Sequence, residues 1–375
     1  MALLEASGIG KNFGETKVLK DISLTLEQGE ALAIIGSSGS GKTTLLRCLN
    51  FLERPDTGVI RVNGETMWDA ADPATQRESE VRKKRLHFGL VFQNFNLFPQ
   101  YTALENVMLA GELLAKEQPD YKANKKAIHA QLEAQARDLL AQMGLSERAG
   151  HYPHQLSGGQ QQRVAIARAL VKMPRVLLLD EPLSNLDARL RLQTREEIRK
   201  IQRATKITTV FVTHDQEEAM SISDMIVVMK DGVVQQIGKP QDVYDSPVNL
   251  FVAKFLGTPP INVFEGQIRG GSLYIGENAV LLTPGISDQP VSVGIRPEGF
   301  IPDEKGALCC QLGGMEVMGR DISVVSTHAS SVNPVIRSII SSDTQIRLDA
   351  KTVRFSIKPN KIFLFRHDNG ERINL

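Results

Sequence analysis

Short apolar runs alternate with helical patterns in the first part of the chain. Residues 31–35 are apolar and bounded by glycine, which is typical of a buried strand. Residues 43–52 then place leucines at helical spacing. Further strands are predicted at residues 3–9, 18–26, 59–62, 86–92, 176–179, 208–213, 225–229 and 233–237. This alternation indicates an α/β domain.

Three regions depart from that alternation. Residues 103–116 and 123–143 have helical patterns without strands between them, so residues 94–172 are predicted to be a helical subdomain of an α/β domain spanning residues 1–238. Residues 239–260 carry two short helical patterns and end in a Pro-Pro pair, which indicates a linker. Residues 68–85 are predicted to be a polar surface insertion.

The segment 261–375 shows short alternating runs separated by turn residues. Turns are predicted at residues 270–271, 284–285, 313–314 and 368–370. Such spacing predicts a smaller, all-β barrel domain with an OB-like fold. No catalytic constellation stands out in this segment.

Composition limits the possible partners. A chain of 375 residues with 42% hydrophobic and 23% charged residues is long enough for two domains and typical of a globular protein. The net charge of +1 predicts no general attraction to nucleic acid. Cys309 and Cys310 could form a redox or metal-binding pair. Because neighbouring strand residues face opposite sides, they are interpreted as structural thiols instead.

A glycine-rich segment between the strand at 31–35 and the following helix carries the clearest chemistry. Its residues are Gly36, Ser37, Ser38, Gly39, Ser40, Gly41, Lys42, Thr43 and Thr44. They match the P-loop pattern, in which backbone N–H groups surround phosphates, Lys42 contacts the β- and γ-phosphates and the Thr43 hydroxyl binds Mg²⁺. The alternative is a Gly/Ser-rich loop with an incidental lysine, but the flanking strand and helix favour the P-loop.

Polar side chains follow three other predicted strands. Asp180 and Glu181 end one apolar strand, where Asp180 suits a magnesium ligand and Glu181 a general base for water. Gln93 could reach a metal or the attacking water, or cap the chain. His214 could contact a γ-phosphate, although a lone histidine is more often structural. Exposed carboxylates at strand ends are common, so Asp180 and Glu181 alone are weak evidence for a magnesium site. The P-loop in the same chain makes that interpretation strong.

Two further segments suggest nucleotide contacts. Ser157 is a good N-cap, and Gly158 and Gly159 after it would let a phosphate approach the start of a helix. Phe13 precedes a turn and could stack on a nucleobase, or could simply pack on the sheet.

In this order the P-loop, Gln93, the signature segment (residues 156–163), Asp180–Glu181, Asp187 and His214 resemble the ATP-binding cassette subunits of membrane transporters. Residues 293–298 resemble the oligobindin-type (TOBE) accessory domain of importer ATPases for maltose, glycerol phosphate, polyamines and iron. The first resemblance covers residues 3 to about 238, and the second covers the remainder.

The resemblance implies a head-to-tail homodimer that binds ATP and Mg²⁺. Glu181, His214 and Gln93 would be catalytic, and Thr43, Gln93 and Asp180 would hold the metal. Phe13 and the P-loop would bind ATP in one chain. Residues from the second chain would complete the site: Ser157, Gly158, Gly159, Gln160 and Asp187.

The implied function is ATP hydrolysis that powers solute import through separate membrane permeases, served indirectly by an extracytoplasmic solute-binding protein. The chain would be cytoplasmic, on the inner face of the membrane. A sugar or glycerol phosphate is the favoured solute. Residues 93–107 look more like amino-acid importer ATPases than like sugar importer ATPases. Amino acids, polyamine or iron are therefore alternative solutes. A soluble repair or translation ATPase, or a non-hydrolysing regulatory subunit, fits less well.

Overall fold

The computed structural model describes residues 2–117, 119, 121–184, 188–342 and 351–374. The chain divides into two compact units, Met1–Pro240 and Gln241–Leu375. The helices predicted for residues 239–260 therefore lie at the start of the second unit. No helix within the described residues has both the length and the apolar character that a membrane span needs.

The first unit combines strands and helices in the predicted alternation. Its strands are β1 (Ala2–Phe13), β2 (Thr16–Glu27), β3 (Ala31–Gly36), β4 (Thr57–Val62), β5 (Glu65–Asp69), β6 (Phe88–Val91), β7 (Val176–Asp180), β8 (Thr208–Val212), β9 (Met225–Lys230) and β10 (Val233–Gly238). Its helices are α1 (Lys42–Leu49), α2 (Glu78–Lys84), α3 (Ala103–Ala115), α4 (Tyr121–Gln142), α5 (Gly158–Leu170), α6 (Ala188–Thr205) and α7 (Gln216–Ile222).

A six-stranded sheet in the order β10-β9-β3-β8-β7-β6 forms the centre of this unit. Strands β9, β3, β8, β7 and β6 pair in parallel, and β10 adds an antiparallel edge. Every residue of β3, β7 and β8 is buried. A parallel sheet covered on both faces needs such continuous apolar runs, which explains the sequence pattern.

A second, antiparallel sheet has the order β2-β1-β4-β5. Leucines of α1 share one buried core with both sheets, so this helix is packed between them. Strand β1 extends to Phe13, past the predicted end at residue 9, because it pairs with β2 as far as Thr16.

The prediction of a polar surface insertion at residues 68–85 is wrong at its start. Trp68 is 1% exposed and stacks on Phe51 with ring centroids 5.7 Å apart. The sequence analysis also missed β5, which pairs with β4 and carries this tryptophan into the core. Val81 on α2 is buried as well, so only part of the insertion faces solvent.

Helices α3, α4 and α5 form the helical part of the first unit. Helix α3 begins at a capping box between Thr102 and Glu105, and α5 at one between Ser157 and Gln160. Each box satisfies two backbone N–H groups at the helix start, which fixes where the helix begins.

The second unit is all-β after two short helices, α8 (Pro240–Asp245), whose first residue ends the first unit, and α9 (Leu250–Phe255). Its strands are β11 (Asn262–Arg269), β12 (Ser272–Ile275), β13 (Asn278–Leu282), β14 (Gln289–Ile295), β15 (Phe300–Pro302), β16 (Leu308–Met318), β17 (Asp321–Thr327), β18 (Ile336–Ser341), β19 (Thr352–Ile357), β20 (Ile362–Arg366) and β21 (Arg372–Ile373).

These strands form two antiparallel sheets, ordered β13-β12-β11-β14-β20-β21 and β15-β19-β16-β17-β18, around one hydrophobic core. The turn predicted at residues 313–314 is wrong, because Gly313 and Gly314 lie inside β16. The register of β16 against β17 shifts between Leu312 and Gly314, so the glycines mark a bulge. Cys310 is buried and Cys309 half-buried, as alternating strand positions require.

A fully buried arginine holds the start of the second unit together. Arg296 has no exposed surface, and its guanidinium lies 3.9 Å from the ring centroid of Tyr244. It donates hydrogen bonds to the backbone carbonyls of Tyr244 (2.7 Å), Ala253 (2.9 Å) and Leu256. One side chain thus satisfies carbonyls at the ends of both short helices.

Replacing Arg296 with Met should lower the free energy of unfolding of the second unit by about 3 kcal/mol, because buried carbonyls lose their donors. Urea unfolding followed by far-ultraviolet circular dichroism measures this loss. Trp68, the chain's single tryptophan, reports the first unit, so the fluorescence transition should not move. Arg269→Met is the matched control, since Arg269 is exposed and stands 4.8 Å from the Tyr274 ring. Equal shifts for both variants would contradict the assignment.

Candidate functional site

The P-loop connects β3 to α1 at the carboxyl edge of the parallel sheet. Glycine is required at its start, because a Cβ on Gly36 would lie 2.2 Å from the carbonyl oxygen of Met229. Gly41 has φ +93°, and a Cβ there would approach the Val18 carbonyl at 2.9 Å. The loop therefore packs against β9 and β2 at distances that only glycine allows.

Lys42 turns back over this loop. Its Nζ donates to the carbonyls of Gly36 at 3.0 Å and Ser37 at 2.9 Å, and the residue is 8% exposed. Burial lowers the pKa of Lys42, and the carboxylate of Glu181 partly opposes that effect. A second anionic group in the cleft would favour the charged ammonium further.

Thr43 and Asp180 meet where β7 ends. The Thr43 hydroxyl donates to Asp180 Oδ1 at 3.3 Å. Burial raises the pKa of Asp180, whereas the hydrogen bond from Thr43 lowers it. The sequence separates these residues widely, and the parallel sheet brings them together.

Glu181 is the centre of a second group of contacts. Its Oε2 accepts a hydrogen bond from Gln93 Nε2 at 3.1 Å and lies 3.5 Å from His214 Nδ1. Its φ of +45° is uncommon for a residue with a side chain, and its N–H donates to the Val212 carbonyl at 3.0 Å. Strained backbone that the surroundings hold in place is typical of functional sites.

Ser184 is a residue that the sequence analysis missed. Its Oγ accepts from Gln93 Nε2 at 3.3 Å and donates to the Glu181 carbonyl at 3.0 Å. It therefore links the Gln93 side chain to the backbone of Glu181 from the loop after β7. A serine in a loop gives no pattern that would have singled it out.

The chain on both sides of His214 is fixed by a buried network. Thr213 Oγ1 donates to Glu218 Oε2 at 2.5 Å and accepts from the Asp215 N–H at 3.0 Å. Burial raises the pKa of Glu218, which is only 3% exposed. The His214 side chain itself is 61% exposed, so a fixed backbone presents an accessible imidazole.

These residues surround an open cleft of about 550 Å³. It is lined by Val18, Ser38, Gly39, Gly41, Lys42, Thr43, Thr44, Glu181 and His214. Val18 was not among the predicted site residues. Phe13 does not line the cleft, but it lies on the same β1–β2 hairpin as Val18, is 46% exposed, and has Lys11 Nζ at 5.3 Å from its ring centroid.

The signature segment does not contribute to this cleft. Ser157 caps α5 by accepting from Gln160 N at 3.4 Å, and Gln160 Oε1 accepts from Ser157 N at 2.9 Å. Gly159 is buried, with an added Cβ 3.3 Å from Thr194 Oγ1. Gly158 opens the helix beside them. Asp187 lies outside the described residues.

The arrangement can hold a polyanion and activate a water molecule. A strand-loop-helix with a lysine presents N–H groups and positive charge. A carboxylate with an amide on one side and an imidazole on the other can orient a water and accept its proton. Both groups face one cleft because the strands that carry them are parallel.

Comparison with known proteins agrees with this geometry. The family profile described as "ABC transporter" matches residues 19–184. The Fe(3+) ions import ATP-binding protein of Fusobacterium nucleatum is 41% identical over 97% of this chain and 93% of its own. The sn-glycerol-3-phosphate import ATP-binding protein of a Ruegeria species is 34% identical over 100% and 99%. The trehalose/maltose import ATP-binding protein of Thermococcus litoralis is 39% identical over 80% and 78%.

Two solved structures share the fold of the first unit. CbiO1 of Clostridium perfringens, part of an ABC transporter complex, aligns with a TM-score of 0.56 and 28% identity over 65% of this chain and 91% of its own. A dimeric ATP-binding cassette in a post-hydrolysis state, bound to ADP and phosphate, aligns with a TM-score of 0.52 and 33% identity over 64% and 99%. These comparisons confirm the predicted family and its ATPase activity. Together with the fold described above, they also confirm the prediction of an α/β cassette followed by an all-β domain. The chain belongs to the ABC transporter family, as one of its ATP-binding, ATP-hydrolysing subunits.

Proposed function

We propose that this ATPase powers solute import by closing as a head-to-tail homodimer on ATP and transmitting that closure to separate membrane permeases. One observation carries the proposal. The cleft holds the P-loop, Glu181 and His214, while the start of α5 with Ser157 and Gly158 lies outside it. A second copy would supply the signature segment that the cleft of one chain lacks.

Within one chain, each residue has a distinct task. The P-loop N–H groups and Lys42 bind the β- and γ-phosphates of ATP. Glu181 accepts a proton from the attacking water, Gln93 orients that water through its contact with Glu181, and His214 contacts the γ-phosphate. The bound phosphates restore the charge on Lys42 that burial disfavours.

The residues at the end of β7 fit Mg²⁺. The Thr43 hydroxyl and the Asp180 carboxylate are hard oxygen donors 3.3 Å apart, and the Gln93 side chain approaches the same edge of the sheet. Mg²⁺ typically uses one or two carboxylates and completes its shell with phosphates and water, so a single aspartate suffices. When bound, Mg²⁺ neutralises charge on the transferred phosphoryl group. Asp180 would then keep its negative charge in spite of burial.

The second chain would act at the open side of the cleft. Ser157, Gly158, Gly159 and Gln160 lie at the start of α5, where backbone N–H groups and the helix dipole favour an anion. We assign these residues, together with Asp187, to the γ-phosphate held by the partner copy. The dimeric relative bound to ADP and phosphate supports such a pairing.

An apolar groove on the helical part is our candidate for permease docking. It encloses about 460 Å³ beside the loop that follows Gln93. The groove is lined by Leu90, Phe92, Asn96, Phe98, Leu109, Ala110, Leu113, Arg168, Ala169 and Lys172. Phe98 and Leu113 are 42% and 54% exposed, so apolar side chains of this groove are accessible to a partner. A permease helix inserted here would contact the loop that follows Gln93.

The role as an importer subunit is supported by the three relatives, whose names specify import. Their named solutes are iron, sugars and glycerol phosphate, so we assign the coupling step and leave the solute to the permeases and an extracytoplasmic binding protein. A peripheral position on the inner membrane face follows from the same role.

Phe13→Ala should weaken ATP binding by about 1–3 kcal/mol if the ring stacks on adenine, by analogy with base stacking on aromatic residues. Titration with ATP and with inorganic triphosphate measures this effect. Only ATP binding should weaken, and Phe13→Trp should preserve it. Equal losses for both ligands would mean that Phe13 only packs on the sheet.

Glu181→Gln should lower ATP turnover by at least about 100-fold, because the amide keeps its size but cannot accept a proton. With ATP and Mg²⁺ the variant should accumulate as a dimer, which light scattering after size exclusion detects. Adding Ser157→Arg should return it to monomers while each chain still binds ATP.

Ser146→Arg is the control for that second substitution, since Ser146 is exposed and lies outside the signature segment. It should leave the Glu181→Gln dimer intact. A Glu181→Gln chain that hydrolyses ATP at the parent rate would refute the catalytic role of Glu181. Dimerisation that persists with Ser157→Arg would refute the shared site.

A further inference from the structure

The loop between Gln93 and α3 is held firmly at its far end. Asn106 is fully buried and donates to the carbonyls of Phe98, Tyr101 and Thr102 at 3.0–3.1 Å. Its Oδ1 accepts from the Phe98 N–H at 2.8 Å. The start of α3 and the end of the loop therefore move together.

The middle of this loop has an unusual backbone. Phe95 and Asn96 adopt left-handed conformations with φ of +59° and +47°, although neither is glycine. Phe95 is only 5% exposed, so its ring anchors the turn in the interior. Consecutive residues with positive φ are strained and persist only where other contacts hold them.

Arg168, in the last turn of α5, supplies those contacts. Its Nη2 donates to the Phe95 carbonyl and its Nη1 to the Asn96 carbonyl, each at 2.6 Å. No carboxylate among the described residues lies within ion-pair distance of this guanidinium. Burial lowers the pKa of Arg168, so the two carbonyls replace the water that the cation has lost.

We propose that Arg168 is a positioning residue that couples the signature helix to the loop carrying Gln93. Helix α5 begins at the signature segment and carries Arg168 in its last turn, about 15 Å further along at the rise of an α-helix. When a partner's ATP draws the start of α5 inward, the two hydrogen bonds move Phe95 and Asn96 with it. Gln93, two residues before Phe95, then changes its position against Glu181.

The same tie works in the opposite direction. Asn96, Phe98 and Arg168 line the apolar groove. A partner bound in the groove would therefore contact the residues that form the hydrogen bonds from Arg168 to the loop. The coupling rests on the proposed function where it invokes the partner's ATP and the roles of Gln93 and Glu181. The tie between Arg168 and the loop can be measured without them.

Amide hydrogen exchange on the full chain tests the tie. The N–H groups of Phe95, Asn96 and Phe98 are all hydrogen-bonded, so their exchange reports the loop. In Arg168→Met these amides should exchange about tenfold faster, because the held conformation opens more often. Arg168→Lys keeps the positive charge but cannot donate to both carbonyls with the geometry of a guanidinium. It should therefore restore only part of the protection of these amides from exchange. Arg137→Met is the matched control: Arg137 is an exposed helix arginine paired with Glu133 at 2.7 Å.

Turnover and ATP binding separate positioning from a merely structural role. Arg168→Met should lower kcat about tenfold, since Gln93 is misplaced, while the affinity for ATP stays within twofold of the parent. In the Glu181→Gln background, ATP with Mg²⁺ should alter exchange at these amides when Arg168 is present and not when it is Met.

Unchanged exchange at the three amides in soluble Arg168→Met would overturn the proposal, as would parallel losses of ATP affinity and kcat. If Arg168→Met does not fold, Arg168→Lys decides: parent-like exchange and kcat reject the tie. Failure of the shared-site proposal shows differently. The Glu181→Gln chain would then not dimerise, although loop exchange would still respond to Arg168→Met.

Discussion

The parallel pairing of β3, β8, β7 and β6 is the constraint on which the functional site depends. Because these strands point the same way, the segments that follow them emerge at one edge of the sheet. The register is locked at the critical point, where Asp180 pairs with Val212 and the Glu181 N–H donates to the Val212 carbonyl. Side chains far apart in the sequence thereby meet within hydrogen-bond distance.

Burial gives the cleft its electrostatic character. It lowers the pKa of Lys42 and raises that of Asp180, so it opposes charge on both residues. A triphosphate offers negative charge to the lysine, and a divalent cation offers positive charge to the aspartate. A nucleotide-metal complex would relieve both penalties at once, which is the physical reason for the Mg²⁺ site proposed above.

The helical part adds geometry more than chemistry. Helix α5 presents the signature segment at one end and Arg168 at the other, and Arg168 contacts the loop that leaves Gln93. A single rigid helix can therefore connect the face proposed to meet a second copy with the groove proposed for permease docking. Such a connection needs only that the helix moves as a body, which its capping box and buried side favour.

The sequence by itself determined most of the element types, the P-loop, the strand-end carboxylates and the change to an all-β segment after residue 260. These are local properties: a continuous apolar run, a glycine pattern or a capping residue carries its structural meaning within a few positions. The tertiary structure decided what depends on distant contacts. Trp68 is in the core because β5 pairs with β4, and the glycines at 313–314 form a bulge because β17 continues beside them.

The same division holds in the site. The pattern indicated Gln93, Glu181 and His214 separately, but only the sheet order placed two of them around the third. Ser184 and Arg168 carry no sequence signal, since a loop serine and a helix arginine are common at surfaces. Their partners are backbone carbonyls and side chains from other elements, and those positions exist only once the chain has folded.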